Sequence, residues 1–128
     1  MFEISEYVDS QGNSPYARWF RRLDPVAAAK VTTTIYRMEQ GNLSNAKGVG
    51  SGVFEQRINF GPGYRIYFGR DGNRLIILLG GGTKARQQRD IESAEIHWRN
   101  YRQRKRQEVL EHAIDERLQR DDSGASRE

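Results

Sequence analysis

Residues 53–79 read VFEQRINF, GPG, YRIYFG, RDGN and RLIILL in succession. Three strand-length apolar runs at 53–60, 64–69 and 74–79 are separated only by glycine-containing turns of hairpin length. That arrangement leaves an antiparallel meander as the simplest fold for this part of the chain. The third run is apolar on both faces, which predicts a central strand.

Upstream, Phe2, Ile4, Tyr7 and Val8 predict a first strand near residues 2–8. Ser14-Pro15 and Asp24-Pro25 are both helix-start signals, a capping side chain followed by a proline at the first helical position. Tyr16, Trp19, Phe20 and Leu23 then mark one apolar face of a short helix. Val26, Ala27, Ala29, Val31, Ile35 and Met38 mark a second, which Gly41 stops. Residues 41–52 are expected to be loop. After Gly80, Gly81 and Gly82, the spacing of Ile91, Ala94, Trp98 and Tyr101 predicts a long last helix. Weak apolar points at Val109, Leu110, Ala113, Ile114 and Leu118 extend it as a charged segment. The expected class is α+β, in the order β-α-α-β-β-β-α. A helical hairpin packs on one face of an antiparallel sheet, and the other face is left for water or a partner.

The 128 residues suit one core, and no cysteine is present. With no apolar run near 20 residues and no leader-like N-terminus, a cytoplasmic protein without disulfides is expected. Positive charge is concentrated in the middle. Between Gln56 and Arg89 the sole acid is Asp71, against Arg57, Arg65, Arg70, Arg74, Lys84, Arg86 and Arg89.

Strand alternation puts Glu55, Arg57, Arg65 and Tyr67 on one sheet face, with Phe54, Ile58, Ile66 and Phe68 on the other. Gln56 falls on the apolar side, where its amide needs a partner. Lys47 approaches the polar face from the preceding loop and Lys84 from the following one. This set suits a phosphate cradle, since arginine grips phosphate oxygens bidentately and Tyr67 can stack or donate. It equally suits a solvated sheet face on which Glu55 pairs with an arginine. His97 and His112 fall on the last helix, away from the set. The run GGGTKA is not a nucleotide loop, because that motif needs lysine directly after glycine and a hydroxyl directly after lysine. No metal-ligand spacing and no serine-hydrolase signature occurs.

The stretch from GVFEQRINF through GPGYRIYFG to GGGTKARQQRDIESAEIHWRNY resembles the RelE/ParE toxin superfamily. Within it, the stretch is similar to the HigB-like, phage Gp49-related addiction module killer proteins of type II toxin–antitoxin systems. The matching positions are Glu55, Arg57, Gly63, Tyr64, Arg65, Tyr67, Gly80, Gly81, Lys84, Gln87, Asp90, Ile91, Ala94, Trp98 and Tyr101. The resemblance spans about residues 1–103, leaving a charged helical extension at 104–120 and a tail at 121–128 expected to be disordered. It implies a RelE-like fold and a toxin held inactive by a helix-turn-helix, HigA-like antitoxin. It implies ribosome-dependent cleavage of mRNA by attack of the ribose 2′-hydroxyl, with no metal and no cofactor. Under it, Arg65 and Arg57 contact the scissile phosphate, and Lys84 and Lys47 clamp it or donate a proton. Tyr67 belongs to the catalytic set, and Glu55 orients an arginine in preference to acting as base. Arg86 joins Lys47, Arg57 and Arg65 in holding RNA, and Asp90 is an orienting group. Exposure of Arg65 is expected, so that its loss spares the fold. The alternatives are a ParE-like gyrase poison and a non-catalytic module that binds nucleic acid or a partner.

Overall fold

The computed structural model describes the backbone of residues 1–125 and the side chains of residues 1–120. The chain forms two compact units, the first ending at Trp98 and the second beginning at Arg99. In order, the elements are β1 (Glu3–Glu6), α1 (Pro15–Phe20), α2 (Pro25–Glu39), β2 (Ala46–Gly50), β3 (Val53–Ile58), β4 (Tyr64–Asp71) and β5 (Leu75–Thr83). A single 3-10 turn at Lys84–Arg86 leads into α3 (Gln87–Ala125). The protein is thus mixed α+β, with a five-stranded sheet and a long last helix.

Both helix starts obey local capping chemistry. Ser14 Oγ accepts from the Ala17 N–H at 3.0 Å, and Asp24 Oδ1 from the Ala27 N–H at 2.9 Å. Each satisfies a donor that the first helical turn would otherwise leave unpaired.

The sheet order is β1-β5-β4-β3-β2. Three expectations are corrected here. The sheet is not wholly antiparallel, because β1 lies parallel to β5, with Ile4 opposite Ile76. As a central strand, β5 is hydrogen-bonded along both edges, by β4 on one and β1 on the other. The expected loop at 41–52 contains an additional strand, β2, antiparallel to β3 with Lys47 opposite Glu55. Its sequence, AKGVG, is too rich in glycine to show alternation. Finally, β5 does not stop at the glycines but runs through them to Thr83.

On one face, Tyr16, Val31 and Met38 from α1 and α2 pack on Ile58, Ile66, Phe68, Ile76 and Leu78. The opposite face is not open. The first turns of α3 cover it, burying Val53, Glu55, Tyr67, Ile77 and Leu79 beneath elements that include Ala94 and Trp98. The glycine triplet permits both approaches at one place. A Cβ on Gly81 would fall on the Trp19 indole of α1, and a Cβ on Gly82 on the Asp90 carboxylate of α3. Gly81→Ala is therefore expected to cost about 1–3 kcal/mol of stability through overpacking. Urea unfolding measures this, and a midpoint equal to wild type refutes the close approach.

From Arg99 the second unit is helical as far as Ala125, and Val109, Leu110, Ile114 and Leu118 are exposed. Of the tail expected at 121–128, the backbone to Ala125 is helical and 126–128 lie outside the described residues. No helix among the described residues is long and apolar enough to cross a membrane.

Candidate functional site

Cross-strand register assembles the polar set. Lys47, Glu55, Tyr67 and Gly80 stand opposite one another across four strands, and Arg57, Arg65 and Gly82 form the adjacent row. Side chains in both rows project toward α3.

Glu55 is the centre. Its carboxylate accepts from Arg57 Nε at 3.0 Å and from Gln87 Nε2 at 2.8 Å, and it lies 3.5 Å from Arg65 Nε. Arg65 Nη1 donates to the Gly63 carbonyl at 2.7 Å. The same carbonyl accepts from the Lys84 backbone N–H at 2.9 Å. The GPG turn, the strand arginine and the loop lysine are thereby held to one oxygen.

Glu55 and Tyr67 are fully buried, and Arg65 is 6% exposed. This corrects the expectation that they line an open cleft with an accessible Arg65. Residues 87–98 of α3 close the face, with Gln87 as the hydrogen-bonded contact. What remains accessible is a rim: Arg57, whose side chain is 42% exposed, with Lys47 and Lys84. Arg86 is exposed too, but it faces a separate cleft beside α1. His97 lines that cleft and stacks on Tyr7 at 5.1 Å, so it is half-buried and not remote. His112 is an exposed residue paired with Glu116.

Burial raises the Glu55 pKa, but hydrogen bonds from Arg57 and Gln87 and the charges of Arg65 and Arg57 outweigh it, holding the carboxyl below its usual range. Tyr67 is shifted far upward, by burial first and then by the Glu55 and Asp90 carboxylates, so its phenol stays protonated. Burial also raises Asp90, against the pull of Arg86 and Arg89. Tyr67 Oη, Asp90 Oδ2 and Arg65 Nε are buried without a well-aligned hydrogen bond.

These shifts set the acid limb of stability. The depressed Glu55 stabilizes the fold above its unfolded value near 4.5 and loses that contribution as pH falls through its lower folded value. His97 is lowered from 6.5 by burial, partly offset by Asp9, so the unfolded chain takes up its proton first and stability falls below that pH. Asp90 acts oppositely, favouring the fold as it protonates. The urea midpoint is expected to fall from pH 7 to pH 4, and Glu55→Gln is expected to flatten the lowest part of that curve. A curve of wild-type shape in the variant would remove Glu55 from this account.

Sequence reasoning did not assign Gln87 or the Gly63 carbonyl. Gln87 carried a signal, since it lies three residues after Lys84 at the start of the helix, but its contact depends on which sheet face that helix covers.

No family model matches the chain. An uncharacterized protein of Haemophilus influenzae is 40% identical to it over 79 residues, which span 61% of this chain and 80% of that protein.

Proposed function

We propose that this chain, which belongs to the family of that Haemophilus influenzae protein, is the toxin of a type II toxin–antitoxin module. On this reading it cleaves mRNA on the ribosome, with a helix-turn-helix antitoxin as its inhibitor. One observation carries the reading: an accessible basic rim of Lys47, Arg57 and Lys84 stands beside a buried carboxylate that is paired with Arg57 and Arg65. The strand and helix order, with the extra β2 and the parallel β1, is read as a RelE-like variant.

The reaction needs the 2′-oxygen to bond to the adjacent phosphorus as the 5′-oxygen leaves, giving a cyclic phosphate and a 5′-hydroxyl. One proton leaves the 2′-hydroxyl for solvent water and one arrives on the 5′-oxygen from Lys84. Arg57 is assigned to the charge that grows on the phosphoryl oxygens. Lys84 clamps the same phosphate and donates to the leaving oxygen, with Lys47 as a second clamp. Arg65, being buried, is a positioning residue that acts through the Gly63 carbonyl on the Lys84 backbone. Glu55 fixes the Arg57 fork and, with its proton affinity lowered, is a poor base. Tyr67 keeps its proton and packs beneath the rim.

Primer extension on mRNA from cells expressing the chain without its antitoxin tests the reading. New 5′ ends and arrested growth are expected. Intact mRNA with an induced DNA-damage response would replace this reading with gyrase poisoning, and unaffected growth would leave only a binding module.

A further inference from the structure

Beside the rim, between α1 and the first turns of α3, lies a cleft of about 550 Å³. Arg18 and Arg22 stand on one bank, and Arg86 and Arg89 on the other. All four are exposed, and none lies within ion-pair distance of a carboxylate among the described residues. Asp90 is the acid in the cleft lining, and its deeper oxygen is turned inward and buried. Asp90 offsets Arg86 and Arg89 in part, and Asp9 offsets Arg18, but four guanidinium groups on one concavity still leave an excess of positive charge, which suits a polyanion.

The floor is the glycine run of β5. Strand β1 covers the outer edge of β5 only as far as Leu78, opposite Glu6. Beyond that pair no strand covers the outer edge of Leu79–Thr83, whose inner edge is held by β4; Trp19 of α1 and Asp90 of α3 pack directly on Gly81 and Gly82, so the charged banks and not the glycines meet a ligand. Arg18 lies in the last turn of α1 and Arg22 just past its end, so the two charges follow one another along one bank. Trp19 and His97, both half-buried, also line the wall, Trp19 packed over Gly81 and His97 stacked on Tyr7. Rings beside arginine forks suit bases and phosphates together, whereas an acidic peptide would use only the charges.

We infer that this cleft is a binding groove for the sugar–phosphate backbone of single-stranded RNA, leading the strand past Thr83 to Lys84 and the basic rim. The inference rests on the proposed mRNA substrate and adds a site to it. Arg18, Arg22 and Arg89 hold phosphates away from the reacting bond, and Arg86 joins the groove to the rim.

The test is fluorescence anisotropy of a labelled ten-nucleotide single-stranded RNA with the full chain, titrated at several salt concentrations. Arg18→Ala/Arg22→Ala is compared with a charge-matched control, Arg37→Ala/Arg74→Ala, after thermal melts establish that each is folded. If the alanine pair is not folded, Arg18→Gln/Arg22→Gln replaces it. The cleft variant is expected to bind at least about tenfold more weakly at 0.1 M salt, and its log–log salt slope to shrink by about 0.7 for each phosphate contact removed. The control is expected to keep the wild-type slope. Equal losses in both variants, an unchanged slope, or displacement by poly-glutamate without measurable RNA binding would each overturn the groove. Cleavage assays separate the two readings. Slope loss in a chain that never cleaves mRNA keeps the groove and removes the toxin reading. Cleavage that is indifferent to Arg18 and Arg22, with wild-type binding, does the reverse.

Discussion

Glu55→Ala is expected to lower the unfolding free energy by about 3–5 kcal/mol, the range seen when one partner of a buried ion pair is removed. The loss arises because Arg65 stays behind, 7% exposed at its side chain and with its remaining bond to Gly63. Arg57, at 42% exposure, can swing into water and adds little. Gln87 loses its acceptor as well, which loosens the point where α3 meets the sheet. Urea unfolding with a constant slope measures the change. The paired replacement Glu55→Leu/Arg65→Met is expected to recover most of it, because two apolar groups of similar volume leave no charge stranded. A Glu55→Ala midpoint within error of wild type would mean that the cluster is not the internal anchor described here.

Lys84→Ala is expected to reduce mRNA cleavage by about 10²–10⁴-fold, the usual reach of a positioned proton donor. The fold should survive, because the side chain is exposed and the residue's structural bond to Gly63 uses its backbone N–H. Lys84→Arg separates its two assigned tasks, since arginine still clamps phosphate but holds its proton too tightly to give it up. A clamp alone would be largely rescued by arginine, and a donor would not. Cleavage by Lys84→Ala at near the wild-type rate would eliminate the lysine from the mechanism. Arg65→Ala is a poorer probe than its motif position suggests, because removing it also frees one side of the buried Glu55.

What the sequence made legible was mostly local. Ser14-Pro15 and Asp24-Pro25 announced both helix starts because capping is chemistry between neighbours. Alternation placed Glu55, Arg57, Arg65 and Tyr67 on one face because pleat geometry fixes it. The same alternation could not say what lies above that face. Ile91, Ala94 and Trp98 define an apolar stripe, but a stripe does not name the surface it meets, so alternation alone predicts an open cleft where the structure has an interior cluster. Gln87 and Asp90 were visible as motif members, yet their contacts depend on that docking. The cleft arginines were equally dispersed: Arg18 and Arg22 are some seventy residues from Arg86 and Arg89. Only the packing of α1 and α3 on the glycines of β5 brings them together.

The parallel pairing of β1 with β5 also sets an order of assembly. Glu3 meets Leu75, and Glu6 meets Leu78, so the first strand of the chain waits for nearly the last. Synthesis proceeds from the N-terminus, and the hairpins of β2 through β5 close over short separations. The β1 strand must close a loop of about seventy residues, which carries a larger entropy cost. The meander can therefore form while β1 is still unpaired, and its docking is the step that seals the outer edge of β5. It seals that edge only to Leu78; past that point Trp19 of α1 and Asp90 of α3 cover Gly81 and Gly82, so the end of β5 is closed by helices and not by a strand.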